Sequence, residues 1–401
     1  MSRSALAGKR IVLGVSGGIA AYKSVYLLRL MVKAGAEVRV MMTPNATHFV
    51  GPVTFEAICG RPVCTDLYDR RDPDAAMRHI DWAREARAVV VAPATANLLG
   101  KYAHGIADDA LSTFLTAVAC TVLLCPAMNS DMYLSPAVQR NLDILRGDGH
   151  LVLSPGEGDL ACGVSGPGRL PEPETILDRL EAALTPEDLA GRRILVTAGP
   201  TREFFDPVRF ISNPSSGRMG FAVARAAEHR GAEVTLVTGP VSLPDLPAVE
   251  TIRVTSAREM ADAVLSRLDA AEIVVKTAAV SDYRPRESAD HKIKKGAAEE
   301  TLVLEQNPDI LREIGARKGG RFLVGFAAET RDLRENASAK LRNKNLDMIV
   351  GNVVTEPGAG FGSESNRVTF FYPDGSREAL ESMSKTEVAH RLLDRVAERM
   401  G

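Results

Sequence analysis

Two loops that follow apolar runs and open helical patterns carry the residues best suited to chemistry. The stretch "ISNPSSGRMG" offers Ser212, Asn213, Ser215, Ser216 and Gly217. Hydroxyls and backbone N–H groups ahead of a helix can hold phosphate oxygens, and the same residues also suit a capped helix after a turn. "GVSGGIAAYKS" (14–24) sets Gly17 and Gly18 in a comparable place. It matches neither GxGxxG nor the Walker A pattern, because Tyr22 stands where a glycine would precede Lys23 and Ser24. A tight turn and a cofactor site both remain open there. Cys162 sits among Gly163, Gly166 and Gly168 in a stretch with neither helical nor strand periodicity, a loop able to close over a site. The other cysteines, Cys59, Cys64, Cys120 and Cys125, read as small buried hydrophobes.

Further candidates are weaker singly. His79 in "MRHIDWA" reads by itself as a structural hydrogen-bonder. Thr95, Ala96 and Asn97 follow an apolar run in "APATANLLGKYAHGIADD", and Met128 and Asn129 follow another in "PAMNSDM", where Asn129 alone would be a helix cap. Later in the chain, "TAGPT" ends a strand in a Gly-Pro turn, "AAVSDYRP" brings an acid, and "HKIKKG" is a basic run that would ordinarily be a solvated face. "QNPDIL" reads as an Asx-Pro turn opening a helix, and "AKLRNKNLDMIVGN" as a helix bearing Lys340 and Lys344 before a strand.

The elements that must position these residues alternate regularly. "RIVLGV", "EVRVMM", "AVVVAP", "TVLLCP" and "HLVLSP" read as buried strands, with amphipathic stretches such as "AAYKSVYLLRLMVKAG" between them. The pattern restarts after "RLPEPETILDRLEAALTPEDLAGRR" with "ILVTAGPTRE", "EVTLVTGP", "EIVVKTAAV", "RFLVGFAAE" and "LDMIVGNVV". Continuous apolar strands alternating with helices mean parallel sheets covered on both faces. The expectation is α/β: two tandem Rossmann-like domains, 1–184 and 192–401, joined by a linker at 185–191, with ligands bound where strand C-termini open into loops. A chain of 401 residues suits two cores. A formal net charge of −2 gives no global basic field for nucleic acid or an anionic membrane. An odd number of cysteines without a CxxC pair, no signal-peptide pattern and no apolar run of membrane-spanning length point to the cytoplasm.

"PAMNSDM" paired with "APATAN" resembles the signatures of the flavin-dependent cysteine decarboxylases. The resemblance implies a flavodoxin-like fold binding FMN, with Gly17, Gly18, Ile19, Thr43, Thr95, Ala96 and Asn97 at the flavin. It implies that Asn129 holds the substrate carboxylate, that His79 is catalytic, and that Cys162, on a substrate-clamping loop, is the proton donor. Val164 departs from the acidic or tyrosine residue common after "ACG" in that family. A carboxylate beside an amide nitrogen has no electron sink, so oxidation of the cysteine side chain by flavin must create one before carbon dioxide leaves. A thiol titrating near working pH is a sensible acid for the step that follows.

"ISNPSSGRMGFA", "AAVSDYRP", "KIKK", "NPDI", "VGFAAET" and "LRNKNLDMIVGN", in that order, resemble phosphopantothenate–cysteine ligase. That likeness implies activation of a carboxylate by CTP as an acyl-cytidylate, followed by attack of the cysteine amine, with Mg²⁺ or Mn²⁺ and lysines offsetting charge. Asn213 would handle the intermediate and Lys292 would face substrate and phosphates. Ser212, Ser215, Ser216, Gly217, Lys276, Thr277, Ala278, Asp282, Asn307, Pro308, Asp309, Ile310, Phe326, Lys340 and Lys344 would contact substrate or nucleotide. The two likenesses on one chain resemble the bifunctional enzymes of coenzyme A biosynthesis, since one reaction makes the other's substrate. The small-molecule substrates are 4′-phosphopantothenate, cysteine and CTP. The family further implies a homo-oligomer with trimeric decarboxylase and dimeric ligase contacts, together a dodecamer. A flavoprotein with another thiol substrate would break "ISNPSSG" or "NPDI", and a non-catalytic relative would lack His79, Asn129, Cys162, Asn213 or Lys292; neither departure occurs.

Overall fold

A computed structural model describes residues 4–69, 75–159, 163, 165–294, 301–329, 331–353, 363 and 365–400. Its contacts divide the chain into two compact units between Thr185 and Pro186.

In the first unit, β1 (Arg10–Val15), β2 (Glu37–Met42), β3 (Ala88–Ala94), β4 (Thr121–Pro126) and β5 (Leu151–Val152) form one parallel sheet in the order β2-β1-β3-β4-β5. This is the flavodoxin-like winding, which reverses direction between β1 and β3 and opens a crevice at their C-terminal ends. β1 and β3 are apolar along nearly their whole length because both faces are covered. α1 (Ala21–Lys33) and α8 (Pro173–Ala183) pack on one face, and α3 (Arg78–Glu85), α4 (Ala96–Ala103), α5 (Ala110–Ala117) and α7 (Pro136–Gly147) on the other. The short α2 (Pro52–Cys59) and α6 (Ser130–Leu134) complete the helices, and β6 (Gly156–Asp159) pairs with β7 (Ser165–Arg169) as a hairpin.

The second unit contains β8 (Arg193–Ala198), β11 (Glu233–Thr238), β12 (Glu250–Arg253), β13 (Ile273–Lys276), β16 (Phe322–Glu329) and β17 (Met348–Val353), parallel in the order β12-β11-β8-β13-β16-β17. That is the doubly wound dinucleotide order, reversing between β8 and β13. β19 (Thr369–Phe371) and β20 (Arg377–Ala379) extend it antiparallel. Small pairs lie outside the sheet: β9 (Arg202–Phe204) with β10 (Phe210–Ser212), β14 (Tyr283–Pro285) with β15 (Leu304–Gln306), and β18 (Ser365–Asn366) with β21 (Met383–Ser384). α9 (Arg218–His229) and α13 (Lys385–Met400) cover one face; α10 (Ala257–Arg267), α11 (Ile310–Ala316) and α12 (Leu333–Asn343) cover the other.

Of the stretch expected as a linker, residues 186–191 fall within this second unit. Leu189 is buried and donates its N–H to Arg230 O at 2.9 Å, while the Arg230 guanidinium pairs with Asp188 and, at 2.8 Å, with Asp394. Among the described residues no helix is long and apolar enough to cross a membrane.

Candidate functional site

The first unit holds a cleft of about 790 Å³ at the C-terminal edge of its sheet, a size within the roughly 300–1,000 Å³ of small-molecule sites. Gly17, Gly18, Ile19, Thr43, Thr95, Ala96, Asn97 and Asn129 all line it. The geometry explains the residue types. A Cβ on Gly17 would lie 2.5 Å from Asn45 Cβ, so only glycine lets these turns approach. Ser16 is buried; its Oγ donates to Pro93 O at 2.7 Å and accepts from Thr95 N–H at 2.9 Å, pinning the β1 turn to the end of β3. Asn129 fulfils two readings at once: Oδ1 accepts from Asp131 N–H at 2.8 Å, capping α6, and the residue lines the cleft.

The β6–β7 hairpin is clasped onto the "PAMNSDM" turn. Met128 donates its N–H to Gly168 O at 3.0 Å, and a Cβ on Gly168 would sit 2.2 Å from Met128 O. Asp159 and Arg169 on this hairpin also line the cleft. Cys162 and Val164 lie outside the described residues. His79 is half-buried on α3 and is not among the residues lining the cleft; among the described residues its buried Nδ1 has no hydrogen-bond partner.

Sequence reading missed Lys101, which enters the cleft one helical turn after Asn97, a spacing that could have revealed it. Its ammonium pairs with Asp108 at 2.6 Å and Asp109 at 3.1 Å. Burial opposes the charge, but hydrogen bonds to both carboxylates outweigh it and raise the lysine's pKa.

The second cleft, about 360 Å³, opens at the ends of β13 and β16. Lys276, Asp282, Asn307, Pro308, Asp309, Ile310, Phe326, Lys340 and Lys344 line it, joined by the unforeseen Ser281, Tyr283 and Gln306. The three ammonium groups are individually held: Lys276 Nζ donates to Ala278 O at 2.9 Å, Lys340 Nζ to Phe326 O at 3.2 Å, and Lys344 pairs with Asp309. Burial first, then the charge of Lys340, pushes Lys276 down to about 8 against the pull of Asp309 and Asp282. Lys340 is lowered too, chiefly by burial. Burial raises the Asp309 carboxyl, but its bonds to Lys344 and to Arg312 N–H more than reverse this; through the latter, at 3.1 Å, it caps α11.

Asn307 acts here as a brace. Its Nδ2 donates to Ser281 O at 2.8 Å and its Oδ1 accepts from Arg284 at 3.0 Å, so the side-chain amide is committed within the chain.

The opening loop of this unit lies beside the cleft. Asn213 Nδ2 donates to Ala279 O at 3.0 Å, one residue from the cleft-lining Val280, and Ser212 Oγ donates to Thr201 O at 2.7 Å. Ser212, Asn213, Ser215, Ser216, Gly217, Thr277 and Ala278 do not line the cleft. Gly217 (φ 75°) ends the loop and α9 follows; a Cβ on Gly220 would lie 2.5 Å from Ala198 Cβ, so that glycine lets α9 rest on β8.

Lys292 is exposed and outside the lining. Its neighbour Ile293 is fixed, donating N–H to Asp206 Oδ2 at 3.2 Å and accepting from Arg209 at 2.7 Å. Burial would raise the Asp206 carboxyl, but N–H groups of Val208, Arg209 and Ile293 and the Arg209 guanidinium bring it down to about 2. Among the described residues, no three His, Cys, Asp or Glu side chains gather as metal ligands would.

The family described as Flavoprotein matches residues 1–185, and the family described as DNA/pantothenate metabolism flavoprotein C-terminal domain matches residues 189–400. The chain is 49% identical over 397 residues to the coenzyme A biosynthesis bifunctional protein CoaBC of Bacillus subtilis (strain 168), covering 98% of this chain and 97% of the relative. It is 46% identical over 399 residues to the protein of the same name from Escherichia coli (strain K12), covering 98% of each. Among solved structures, the C-terminal domain of a coenzyme A biosynthesis bifunctional protein CoaBC is 42% identical, covers 53% of this chain and 98% of that one, and superposes with a TM-score of 0.47.

Proposed function

The chain belongs to the family of coenzyme A biosynthesis bifunctional proteins, and from that premise we propose that its two clefts carry out successive reactions. The second unit couples 4′-phosphopantothenate to cysteine at the expense of CTP, and the first decarboxylates the resulting phosphopantothenoylcysteine with FMN to 4′-phosphopantetheine. The observation that carries this reading is the contrast between two clefts built at equivalent places on related sheets. One is a glycine-floored crevice of flavin size, the other a small cleft with three lysines and two aspartates.

The residues of the first cleft fit a flavin nucleotide. Gly17 and Gly18 leave room for its phosphate at the start of α1, and Thr43, Thr95, Ala96 and Asn97 border the remainder. Bound there, FMN would take two electrons from the substrate's thiol-bearing side chain, creating the sink the carboxylate otherwise lacks, and would return them to the product after carbon dioxide leaves, so that the overall reaction is redox-neutral. Asn129, fixed by its capping bond, presents a neutral amide to the substrate carboxylate, which orients the group without the added stabilisation a cation would give it. Cys162 supplies the proton on the product carbon. His79 lies outside its own chain's cleft, which accords with a flavin site completed between subunits of a trimer.

In the second unit the nucleoside lies in the lysine cleft and its phosphates run toward Ser215, Ser216 and Gly217 ahead of α9. Lys292 approaches from a segment steadied by Asp206. Mg²⁺ enters with the triphosphate, whose oxygens supply part of its coordination. Asn213 hydrogen-bonds the acyl-cytidylate, and no covalent enzyme nucleophile is needed. Dimeric ligase contacts and trimeric decarboxylase contacts assemble a cytoplasmic dodecamer.

The test is mass spectrometry of products from enzyme given 4′-phosphopantothenate, cysteine, CTP and Mg²⁺, with Cys162→Ser and Asn213→Ala alongside. Wild type should give 4′-phosphopantetheine, Cys162→Ser should stall after carbon dioxide is lost, and Asn213→Ala should yield little amide. Wild type stopping at phosphopantothenoylcysteine would remove the decarboxylase assignment; absence of any amide would remove the ligase assignment.

A further inference from the structure

Three cationic residues line the first cleft among the described residues: Lys23, Lys101 and Arg169. Two of them are already neutralised. Lys23 pairs with Glu172 at 2.7 Å, and Lys101 with both Asp108 and Asp109. Arg169 is different: it is exposed, and its guanidinium makes no hydrogen bond or ion pair with any described residue. Asp159, the acid that β6 contributes to the cleft, makes no ion pair with it. The hairpin nevertheless gives this side chain a defined course, because it crosses β6 over two glycines. A Cβ on Gly156 would lie 3.7 Å from Arg169 Cβ, and a Cβ on Gly158 would lie 3.5 Å from its Cδ and 3.0 Å from Nη1. Gly158 has φ 137°, a conformation that favours glycine, so the arginine stem lies where no other side chain competes. The outcome is a planar, permanently charged group with its donors uncommitted, held against the hairpin at a ligand cleft.

The decarboxylase reading brings three anions into this cleft, and two of them already have a place. The flavin phosphate meets the glycine turn before α1. The substrate carboxylate meets the Asn129 amide, and a guanidinium there would stabilise the very charge that the reaction must remove. The third anion, the phosphate ester at the far end of the substrate, has no counter-charge among the residues placed so far. The exposure of Arg169 suits that end, since the thiol must reach the flavin inside while the strongly hydrated phosphate keeps to the rim. Resting on the reading of this cleft as the decarboxylase site, we propose that Arg169 grips the terminal phosphate of phosphopantothenoylcysteine and makes the first unit select phosphorylated substrates. Paired N–H···O bonds from one guanidinium match two phosphate oxygens. Arg169 acts here as a binding residue, away from the reacting atoms.

The reaction product separates the phosphate from the carboxylate, because 4′-phosphopantetheine carries the one and lacks the other. Calorimetric titration of the FMN-loaded protein should show wild type preferring 4′-phosphopantetheine to pantetheine. In Arg169→Ala, affinity for 4′-phosphopantetheine should fall about tenfold while that for pantetheine stays the same. Arg169→Lys, a point charge without the fork, should keep part of the preference. The ratio of kcat/KM for phosphopantothenoylcysteine to that for pantothenoylcysteine should fall in Arg169→Ala by the same factor. Equal binding of both ligands by wild type overturns the proposal, as does an unchanged affinity for 4′-phosphopantetheine in Arg169→Ala. An equal loss with pantetheine would place the guanidinium on another part of the substrate and also overturn it. So would Arg169→Ala purifying with much less FMN, read from the yellow absorbance per chain, which would assign the guanidinium to the flavin phosphate. Wild type keeps the two levels of argument apart. If the FMN-loaded chain decarboxylates neither phosphopantothenoylcysteine nor pantothenoylcysteine, the decarboxylase reading fails and this inference with it; an active wild type beside an indifferent Arg169→Ala removes this inference alone.

Discussion

At the level of single residues, Lys276 links structure to pH. Its pKa, about 8 in the fold against 10.5 for the free side chain, is low because burial and Lys340 disfavour its charge. The sign follows from linkage. Below about 8 the folded chain carries a charge it would rather shed; between the two values the unfolded chain binds a proton that the folded one has lost, so this group's contribution to stability rises with pH across that window. Nucleotide binding runs the other way. An anionic ligand favours the ammonium, so affinity for CTP should fall as pH rises through 8, by roughly five- to tenfold between about pH 7.5 and pH 9 if only the charged form binds. Binding near pH 8.5 should also take up protons, seen as a buffer-dependent heat in calorimetry. Lys276→Met should flatten most of that dependence, leaving the contribution of Lys340, whose pKa is also lowered. A CTP affinity constant over this range would show that Lys276 is no ligand contact.

Elements place these residues through close approaches that only glycine permits. Gly17→Ala would put a methyl 2.5 Å from Asn45 Cβ, at the turn joining β1 to α1. Overpacking of this kind costs about 1–3 kcal/mol, and here it falls on the cleft floor rather than the sheet. The variant should therefore fold but purify with much less flavin, read from the yellow absorbance per chain, while amide formation in the second unit stays unchanged. Full flavin occupancy would mean that this turn does not cradle the cofactor. The long parallel strands were legible in the sequence because burial on both faces leaves uninterrupted apolar runs, as in β1, β3 and β4. The β6–β7 hairpin was not, because its strands, "GEGD" and "SGPGR", have neither β-branched residues nor alternation and are held by the clasp between Met128 and Gly168. Site residues followed the same division. Those at strand ends, such as Thr95 and Asn97, could be placed from pattern, and the wider set came from family resemblance. Arg169 could not be singled out, since what distinguishes it is an unpaired guanidinium on an irregular hairpin.

The whole molecule joins two doubly wound units whose clefts differ chemically although their sheets follow related plans, so activity resides in the loops and not in the winding. Each unit has apolar clusters on both faces of its own sheet: Leu13, Val40 and Leu28 opposite Val91, Leu111 and Leu142 in the first, and Val196, Leu236 and Leu392 opposite Leu195, Leu323 and Ile349 in the second. Cores of this size fold cooperatively by themselves, so calorimetry should resolve two unfolding transitions. Ligands then identify them by mass action, because a ligand stabilises only the unit that holds it. FMN at about a hundred times its Kd stabilises its unit by about 2.7 kcal/mol, which raises a transition of this size by roughly 5–10 °C. CTP should raise the other transition by a comparable amount and leave the first in place. One transition that moved with either ligand would instead mean that the two cores unfold as a single cooperative unit, and that occupancy of one cleft stabilises the other.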